Sequence, residues 1–118
     1  MSKYLIVTGG AGFIGSNLIE LLVRKTKDQI ISIDNYSTGS KTNHIKSNRV
    51  KYINNDTQNF DKILKNYNKK KISAVFHFAE FSRIYQSFNN VNECFASNIK
   101  GTNQVINFCL KHNIKIIY

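Results

Sequence analysis

Short apolar runs alternate along the whole chain with longer segments of helical periodicity. The apolar runs read Leu-Ile-Val at residues 5–7 and Ile-Ile-Ser-Ile at residues 30–33, for example. Runs of this length, rich in β-branched residues, are typical of buried strands. The sequence therefore predicts five strands, at residues 4–8, 30–34, 50–54, 74–79 and 115–118.

Three segments between these strands carry apolar residues at spacings of three and four, the period of an amphipathic helix. The first begins at Ile14, the second begins at Phe60, and the longest spans residues 91–110. Strands that alternate with helices predict parallel strands joined by right-handed crossovers, with both faces of the sheet buried. The expected fold class is therefore α/β, a doubly wound parallel sheet that stops at Tyr118 inside its fifth strand.

Composition limits the remaining possibilities. A chain of 118 residues is one domain at most, and 42% hydrophobic residues are enough to form a core. The apolar runs all fall well short of the roughly 20 residues that a membrane span needs. The N-terminal residues lack the apolar region and cleavage site of a signal peptide. We therefore expect a cytoplasmic protein without a membrane partner.

The net charge of +10 raises the question of nucleic-acid binding, because 17 Lys and Arg face only 7 Asp and Glu. Nucleic-acid-binding surfaces gather such residues into patches. Here the cations are scattered, and the one tight run, Lys69–Lys71, falls at the end of a predicted helix. We attribute the abundance of Lys, Asn and Ile to the base composition of the coding genome, and we expect no nucleic-acid partner.

The two cysteines, Cys94 and Cys109, lie in one predicted helix. At a rise of 1.5 Å per residue they are about 22 Å apart, which is too far for a disulfide. Neither has Cys or His neighbours at the spacing of zinc ligands. We interpret both as buried small side chains and expect no metal site.

A glycine-rich segment joins the first strand to the first helix and reads Thr-Gly-Gly-Ala-Gly-Phe-Ile-Gly from Thr8. Gly10, Gly12 and Gly15 fit the G-x-G-x-x-G spacing, and Gly9, Gly12 and Gly15 fit the related G-x-x-G-x-x-G spacing. A glycine turn that opens a helix presents bare backbone amides to a phosphate. The alternative interpretation is an ordinary turn between a strand and a helix.

Asp34 ends the second strand, nineteen residues after Gly15. A carboxylate at this point accepts hydrogen bonds from both hydroxyls of a ribose and repels a 2′-phosphate, and no Arg follows it directly. Together with the glycine turn it predicts a site for NAD rather than NADP. Asp34 as a cap of the following loop is the alternative.

Residues 8–18, followed by Asp-Asn-Tyr-Ser-Thr-Gly at 34–39, resemble the extended short-chain dehydrogenase/reductase family, and within it the NAD-dependent nucleotide-sugar epimerases and dehydratases. The resemblance spans the whole chain and implies a Rossmann-like NAD-binding domain over residues 1–118, incomplete relative to the family. It implies a cofactor site made of Gly9, Gly12, Phe13, Ile14, Gly15, Asp34, Asn35, Ser37, Thr38, Gly39, Asp56, Thr57, Phe78, Ala79, Glu80 and Asn98.

The resemblance also implies roles within that site. Residues 35–39 would wrap the adenosine ribose, Asp56 would hold the adenine amino group, and residues 77–82 would pass under the cofactor. Asn98 matches an Asn-x-x-Gly-Thr pattern and lies on the apolar face of its predicted helix, which points it at the sheet. Two alternatives stay open: Asn98 hydrogen-bonds a loop carbonyl, and Asp56 caps the helix that contains Phe60.

Two features depart from the family pattern. Glu80 stands where family members carry a small residue, and we expect it to face the pyrophosphate or to turn away and pair with Arg83. The family's catalytic Ser or Thr, its Tyr-x-x-x-Lys pair and its sugar-binding domain have no counterpart in the chain. Tyr67 and Lys71 have the required spacing, but they precede the fourth strand on a predicted helix surface. No catalytic residue is therefore assigned.

The function implied by the resemblance is that of the NAD-binding portion of a nucleotide-sugar epimerase, most like a UDP-sugar 4-epimerase that works by transient hydride transfer to NAD. The 34–39 loop favours an epimerase over a nucleotide-sugar 4,6-dehydratase, which remains an alternative. A non-catalytic NAD-binding or interaction module is the other alternative. The resemblance further implies a nucleotide-sugar substrate, a homodimer at full length, and no turnover by this chain alone.

Overall fold

The computed structural model describes residues 2–118, which form one five-stranded sheet with helices on both faces. The strands are β1 (Tyr4–Thr8), β2 (Gln29–Asp34), β3 (Val50–Asn54), β4 (Ile72–His77) and β5 (Lys115–Ile117). All four neighbouring pairs are parallel, and the order is β3-β2-β1-β4-β5. The predicted doubly wound α/β fold is confirmed. Because the order reverses beside β1, the crevice used by ligands in such folds opens there.

Five α-helices connect the strands: α1 (Phe13–Lys25), α2 (Phe60–Ile63), α3 (Ile84–Ser87), α4 (Val91–Phe95) and α5 (Thr102–His112). A π-helical segment, Ala96–Gly101, joins α4 to α5 without a break. Single 3₁₀ turns lie at Lys41–Asn43, Thr57–Asn59 and Lys69–Lys71. Within the described residues, none of these helices is long and apolar enough to cross a membrane.

The core divides into two clusters because successive strand residues point to opposite faces. On one face, α1 packs Ile19 against Leu5 and Val7 of β1. On the other face, Ile6 meets apolar side chains of α2 and α5. There the rings of Phe60 and Phe108 stand edge to face, with centroids 5.0 Å apart. The sheet is thus covered on both sides, as the continuous apolar strands predict.

The fourth strand is shifted relative to its predicted position at residues 74–79. It begins at Ile72 and ends at His77, whose register partner in β1 is Thr8. Beyond this point the amides of Phe78 and Ala79 both donate to the hydroxyl of Thr8, at 3.0 and 3.1 Å. The chain therefore leaves the sheet two residues earlier than the apolar pattern indicates. Two smaller differences are the start of β2 at Gln29 and the end of β5 at Ile117.

The long helix predicted over residues 91–110 is not uniform. Its middle, Ala96–Gly101, is a π-helix, which inserts extra backbone into the turn and shifts the faces on either side. Val91 is consequently exposed, although Val105 and Cys109 of the same predicted stripe are buried. In α1 the stripe is also displaced, since Ile14 and Leu21 face solvent and Gly15 and Ile19 are buried.

The cysteines are both free thiols. Cys109 is buried as expected, and burial raises the pKa of its thiol to about 11. Cys94 is only half-buried, which corrects that part of the prediction. In the part of the chain that the structure describes, no group of His, Cys, Asp and Glu is arranged to hold a metal ion.

Candidate functional site

A cleft opens at the carboxyl edge of the sheet, beside the ends of β1 to β4. The predicted site residues that line it are Gly9, Gly12, Asp34, Asn35, Ser37, Thr38, Asp56, Thr57, Phe78, Ala79 and Glu80. The fold thus brings together segments that are far apart in sequence. Phe13, Ile14, Gly15, Gly39 and Asn98 do not line the cleft, and their positions are described below.

The glycine turn needs glycine at Gly9 for its backbone, whereas Gly12 leaves one face of the turn without a side chain. Gly9 has a φ of +74°, and a Cβ there would lie 2.8 Å from the carbonyl of Phe78. Gly12 has an ordinary extended backbone, with φ −83° and ψ 179°. A Cβ on Gly12 would meet only the oxygen of Gly9, at 3.4 Å, so its bare face is open to the cleft.

The N-terminus of α1 follows directly on Gly12. The first amides of a helix have no intrahelical acceptor, and Gly12 has no side chain to cap them. The first turn carries no acidic residue, so the positive end of the helix dipole is not neutralised locally. The side chains of Phe13 and Ile14 are 83% and 65% exposed. Neither residue lines the cleft, so their contact with a cofactor stays a prediction.

Asp34 is 8% exposed and fastens the glycine turn to the loop after β2. Its Oδ2 accepts from the amide of Ala11 and its Oδ1 from the amide of Tyr36, both at 2.9 Å. Tyr36 has a φ of +60°, a left-handed conformation that is uncommon for a residue with a side chain. Gly39 closes the same loop against Ala11, whose Cβ would be 2.9 Å from a Cβ on Gly39.

Asp56 lines the cleft and is hydrogen-bonded to the loop after β2. The side-chain Nδ2 of Asn35 donates to Oδ1 of Asp56 at 2.8 Å. Asp56 precedes the 3₁₀ turn Thr57–Asn59, but its side chain makes no capping hydrogen bond. The capping alternative is therefore wrong, and among the described residues Oδ2 of Asp56 has no hydrogen-bond partner.

A chain of hydrogen bonds joins the ends of β1 and β4 to α5. Thr8 Oγ1 lies 2.7 Å from His77 Nδ1, and His77 Nε2 lies 2.8 Å from Thr102 Oγ1. Thr102 in turn donates to Oε2 of Glu80 at 2.8 Å, and the hydroxyl of Tyr118 donates to Oε1, also at 2.8 Å.

The carboxylate of Glu80 determines which group donates in each of these hydrogen bonds. A carboxylate only accepts, so the single proton of Thr102 goes to Glu80 and His77 Nε2 must be protonated. His77 Nδ1 then accepts from Thr8, whose oxygen is left for the amides of Phe78 and Ala79. His77 is neutral in this arrangement. Burial lowers the pKa of His77 below its usual value, against a smaller opposing effect of the Glu80 charge.

The side chain of Glu80 lines the cleft, but it does not pair with Arg83. Both of its oxygens are occupied by hydroxyl donors, one from Thr102 and one from Tyr118. The charge of Glu80, mainly through this hydrogen bond, raises the pKa of Tyr118. Arg83 is exposed. The expected alternative of an ion pair between Glu80 and Arg83 is therefore wrong.

Asn98 lies in the π-helical segment and holds the chain after β4 by both of its amide atoms. Its Oδ1 accepts from the amide of Phe81 at 2.5 Å, and its Nδ2 donates to the carbonyl of Phe81 at 2.9 Å. The alternative of a hydrogen bond to a loop carbonyl thus describes its contacts. A contact of Asn98 with the cofactor stays a prediction.

The Tyr67 and Lys71 pair lies away from the cleft. The ring of Tyr67 packs edge-on against Tyr4, with centroids 5.3 Å apart, on the core cluster under α2. Lys71 belongs to the 3₁₀ turn before β4. The predicted position on a helix surface is wrong for Tyr67, because α2 ends at Ile63 and the Tyr67 ring packs on the core.

The hydrogen bonds that join Thr8, His77 and Thr102 to one another, and Thr102 and Tyr118 to Glu80, are the part of the site that sequence reasoning missed. Three of these residues carried a usable signal. Thr8 and His77 end neighbouring parallel strands, and Thr102 lies on the buried face of its helix. Polar residues at such positions need partners, and the ends of adjacent strands are where those partners meet.

The neutral state of His77 leads to a prediction about pH. Because its pKa is lowered in the folded chain, the unfolded chain takes up a proton first as the pH falls below about 6.5. The free energy of unfolding should fall with pH from there down to the folded pKa, by at most about 1.4 kcal/mol per pH unit. Above pH 6.5 this contribution is constant. Urea unfolding of the wild type and His77→Gln between pH 5 and 8 measures the free energy of unfolding at each pH. The same pH dependence in the variant as in the wild type would contradict the prediction.

The parallel sheet, the glycine turn after β1 and the buried carboxylate after β2 together define a dinucleotide-binding domain of the α/β class. The sequence model of one family, described as the NAD dependent epimerase/dehydratase family, matches residues 5–118. The chain belongs to this family, and NAD is the family's cofactor.

Similar proteins agree with this assignment. The ADP-L-glycero-D-manno-heptose-6-epimerase of Brachyspira hyodysenteriae is 33% identical over 117 residues, which cover 97% of this chain and 36% of that protein. The structure of UDP-N-acetylglucosamine 4-epimerase from Methanobrevibacter ruminantium M1, in complex with UDP-N-acetylmuramic acid, has a TM-score of 0.83 at 30% identity and covers 99% of this chain and 37% of its own.

A third comparison is with the enzyme WbmG of Bordetella bronchiseptica in complex with NAD, at a TM-score of 0.80 and 25% identity. The matched region covers 98% of this chain and 36% of the WbmG chain. The chain therefore spans about a third of the length of the relatives that it matches.

Proposed function

We propose that this chain binds NAD in the cleft and supplies the cofactor half of a nucleotide-sugar 4-epimerase site. The observation that carries the proposal is the open face of Gly12 at an uncapped helix N-terminus, next to the buried carboxylate of Asp34. A Cβ at Gly12 would fill this cradle, and backbone amides there suit a pyrophosphate. The residues present thus fit a dinucleotide.

Each part of the cleft has a role in this proposal. The turn from Gly9 to Gly15 receives the pyrophosphate, with the amides of Phe13 and Ile14 as donors. Asp34 accepts hydrogen bonds from the adenosine ribose, within the loop formed by Asn35, Ser37, Thr38 and Gly39. The free oxygen of Asp56 accepts from the adenine amino group, beside Thr57. Phe78, Ala79 and Glu80 lie under the other half of the cofactor, and Asn98 fixes this segment through Phe81.

When bound, NAD supplies the chemistry of hydride transfer, since it takes a hydride from a sugar carbon and returns it. The chain's own residues orient the dinucleotide so that its reactive ring meets the sugar at a fixed distance. The hydrogen bonds that the amides of Phe78 and Ala79 donate to the hydroxyl of Thr8 keep that segment at a constant distance from the glycine turn. The cleft is therefore organised before the cofactor arrives.

The substrate in this proposal is a nucleotide sugar. The chain by itself turns over none, because the Tyr-x-x-x-Lys pair that the family resemblance implies has no counterpart in the cleft. An assay of the purified 118-residue chain with NAD and UDP-sugars should give no product, and measurable epimerisation would contradict this.

A homodimer of the full-length protein and a cytoplasmic location complete the proposal. Exposed apolar side chains between α3 and the π-helical segment support the dimer, and they are Ile84, Tyr85, Phe88, Val91, Phe95 and Ile99. Two free thiols support a reducing compartment. Light scattering of the protein, with Phe88→Glu as the variant, tests the dimer, because a charge there should favour the monomer.

Calorimetric titration of the chain with NAD⁺ tests the proposed function directly. We expect saturable binding of one NAD⁺ per chain and a higher melting temperature in its presence. A titration without heat or thermal shift at millimolar NAD⁺ would refute the proposal.

Selectivity for NAD over NADP is a further prediction. A 2′-phosphate would stand against the buried charge of Asp34, so NADP⁺ should bind at least about ten-fold more weakly than NAD⁺. Asp34→Asn keeps the shape of the side chain and should reduce this preference several-fold. Asp61→Asn removes an exposed carboxylate of α2 and serves as the control. Equal affinities in the wild type would contradict the role of Asp34.

A further inference from the structure

Glu80 lies on the opposite side of β1 from the two aspartates of the cleft. In the sheet, β2 and β3 lie to one side of β1, and β4 and β5 lie to the other. Asp34 ends β2 and Asp56 follows β3, whereas Glu80 and Tyr118 follow β4 and β5. With the adenosine over β2 and β3 and the pyrophosphate at the turn after β1, the remaining half of the dinucleotide extends over β4. Glu80 therefore stands at the nicotinamide end.

The carboxylate of Glu80 is held in place, unlike the other charges of this end of the cleft. Two hydroxyl groups donate to it, and one of them, Thr102, is itself fixed by the buried imidazole of His77. Glu93 and Arg83 also line the cleft, but both are exposed. Water screens exposed charges, so the fixed and partly buried charge of Glu80 acts more strongly on a nearby ligand.

We propose that Glu80 makes the site prefer the oxidised form of the cofactor. The nicotinamide ring carries a positive charge in NAD⁺ and none in NADH, while the pyrophosphate and adenosine are the same in both. A carboxylate fixed beside the ring therefore stabilises NAD⁺ selectively. This inference rests on the proposed function. Its consequence there is that a reduced cofactor in the site returns its hydride to the keto-sugar more readily.

The competing position for this carboxylate is beside the pyrophosphate. There it would repel both forms of the cofactor equally, because the phosphates do not change on reduction. The ratio of the two dissociation constants therefore separates the positions. Only a charge near the ring changes the ratio of NADH to NAD⁺ affinity.

The experiment is a calorimetric titration of the 118-residue chain with NAD⁺ and with NADH, for the wild type and Glu80→Gln. The ratio of the NADH to the NAD⁺ dissociation constant should fall at least about five-fold in the variant, because a charge pair about 4 Å apart gains about 1 kcal/mol even when water fully screens it. Glu93→Gln removes an exposed carboxylate from the same cleft and should leave the ratio unchanged. Tyr118→Phe removes one donor but keeps the charge, so it should retain most of the wild-type ratio.

Glu80→Ala gives a second measurement and restores a small side chain at this position, and a melting curve checks that each variant is folded. An equal fall of the ratio in the Gln and Ala variants supports the proposal. An unchanged ratio overturns it, and so does an equal gain of affinity for both forms, which would place Glu80 beside the pyrophosphate. A wild-type chain that binds neither form refutes the proposed function, and this inference with it. Binding of both forms with an unchanged ratio refutes the inference alone.

Discussion

Gly12→Val should abolish NAD binding while the chain stays folded. The extended backbone of Gly12 is open to any residue, and a Cβ there makes one ordinary contact inside the protein, so the fold accepts the side chain. The valine methyl groups would instead occupy the cleft face where the proposed pyrophosphate meets the helix. We expect NAD⁺ affinity to fall by at least about 100-fold, since the phosphate is excluded sterically.

The stability of the same variant should change little. Valine is a poorer N-cap residue than glycine, which costs about 1 kcal/mol. Asn17→Val places the same side chain on the exposed surface of α1, outside the cleft, and should keep wild-type NAD⁺ affinity. Calorimetric titration and urea unfolding of both variants give the two quantities. A Gly12→Val chain that binds NAD⁺ normally would show that the turn is not the phosphate site.

Gly15→Ala should have the opposite outcome, a large loss of stability. A Cβ on Gly15 would overlap the carbonyl oxygen of Gly9 and lie 2.9 Å from the Cα of Gly10. Both neighbours are backbone atoms of the turn, so they have little freedom to move. We expect the free energy of unfolding to fall by about 3 kcal/mol, the upper range for overpacking of a core.

Helix propensity alone leads to the reverse expectation for this variant. Alanine in the interior of a helix is favoured over glycine by about 1 kcal/mol. Glu20→Ala, on the exposed side of α1, is the control and should change the stability by no more than about 0.5 kcal/mol. A Gly15→Ala chain that is more stable than the wild type would mean that α1 does not approach β1 as closely as described.

These two glycines illustrate how far the spacing of a motif can be interpreted. Gly12 and Gly15 both belong to the glycine pattern that predicts a phosphate-binding turn. The pattern does not separate the glycine that leaves room for a ligand from the one that lets α1 approach the turn. That difference follows from what surrounds each Cα, which is an open cleft for Gly12 and the backbone of Gly9 for Gly15.

The long helix shows the limit of periodicity as a guide. The apolar stripe predicts one face from Val91 to Cys109, but the π-helical turns at Ala96–Gly101 change the angle between residues. A π-helix closes its hydrogen bonds over five residues instead of four, so an α-helical apolar stripe does not predict it, and tertiary contacts help to stabilise it. Here the hydrogen bonds of Asn98 to Phe81 supply such contacts.

The sequence by itself determined the properties that depend on residues close to one another along the chain. The period of the apolar residues predicts five parallel strands and the fold class, and local spacing predicts the glycine turn and Asp34. Only the tertiary structure decided the orientation of Glu80 and the bonding of His77. Thr8 and His77 are 69 positions apart, and Tyr118 is 38 positions from Glu80. Which of these side chains meet depends on the order of the strands and on the packing of α5, because a hydrogen bond requires atoms within about 3 Å of each other.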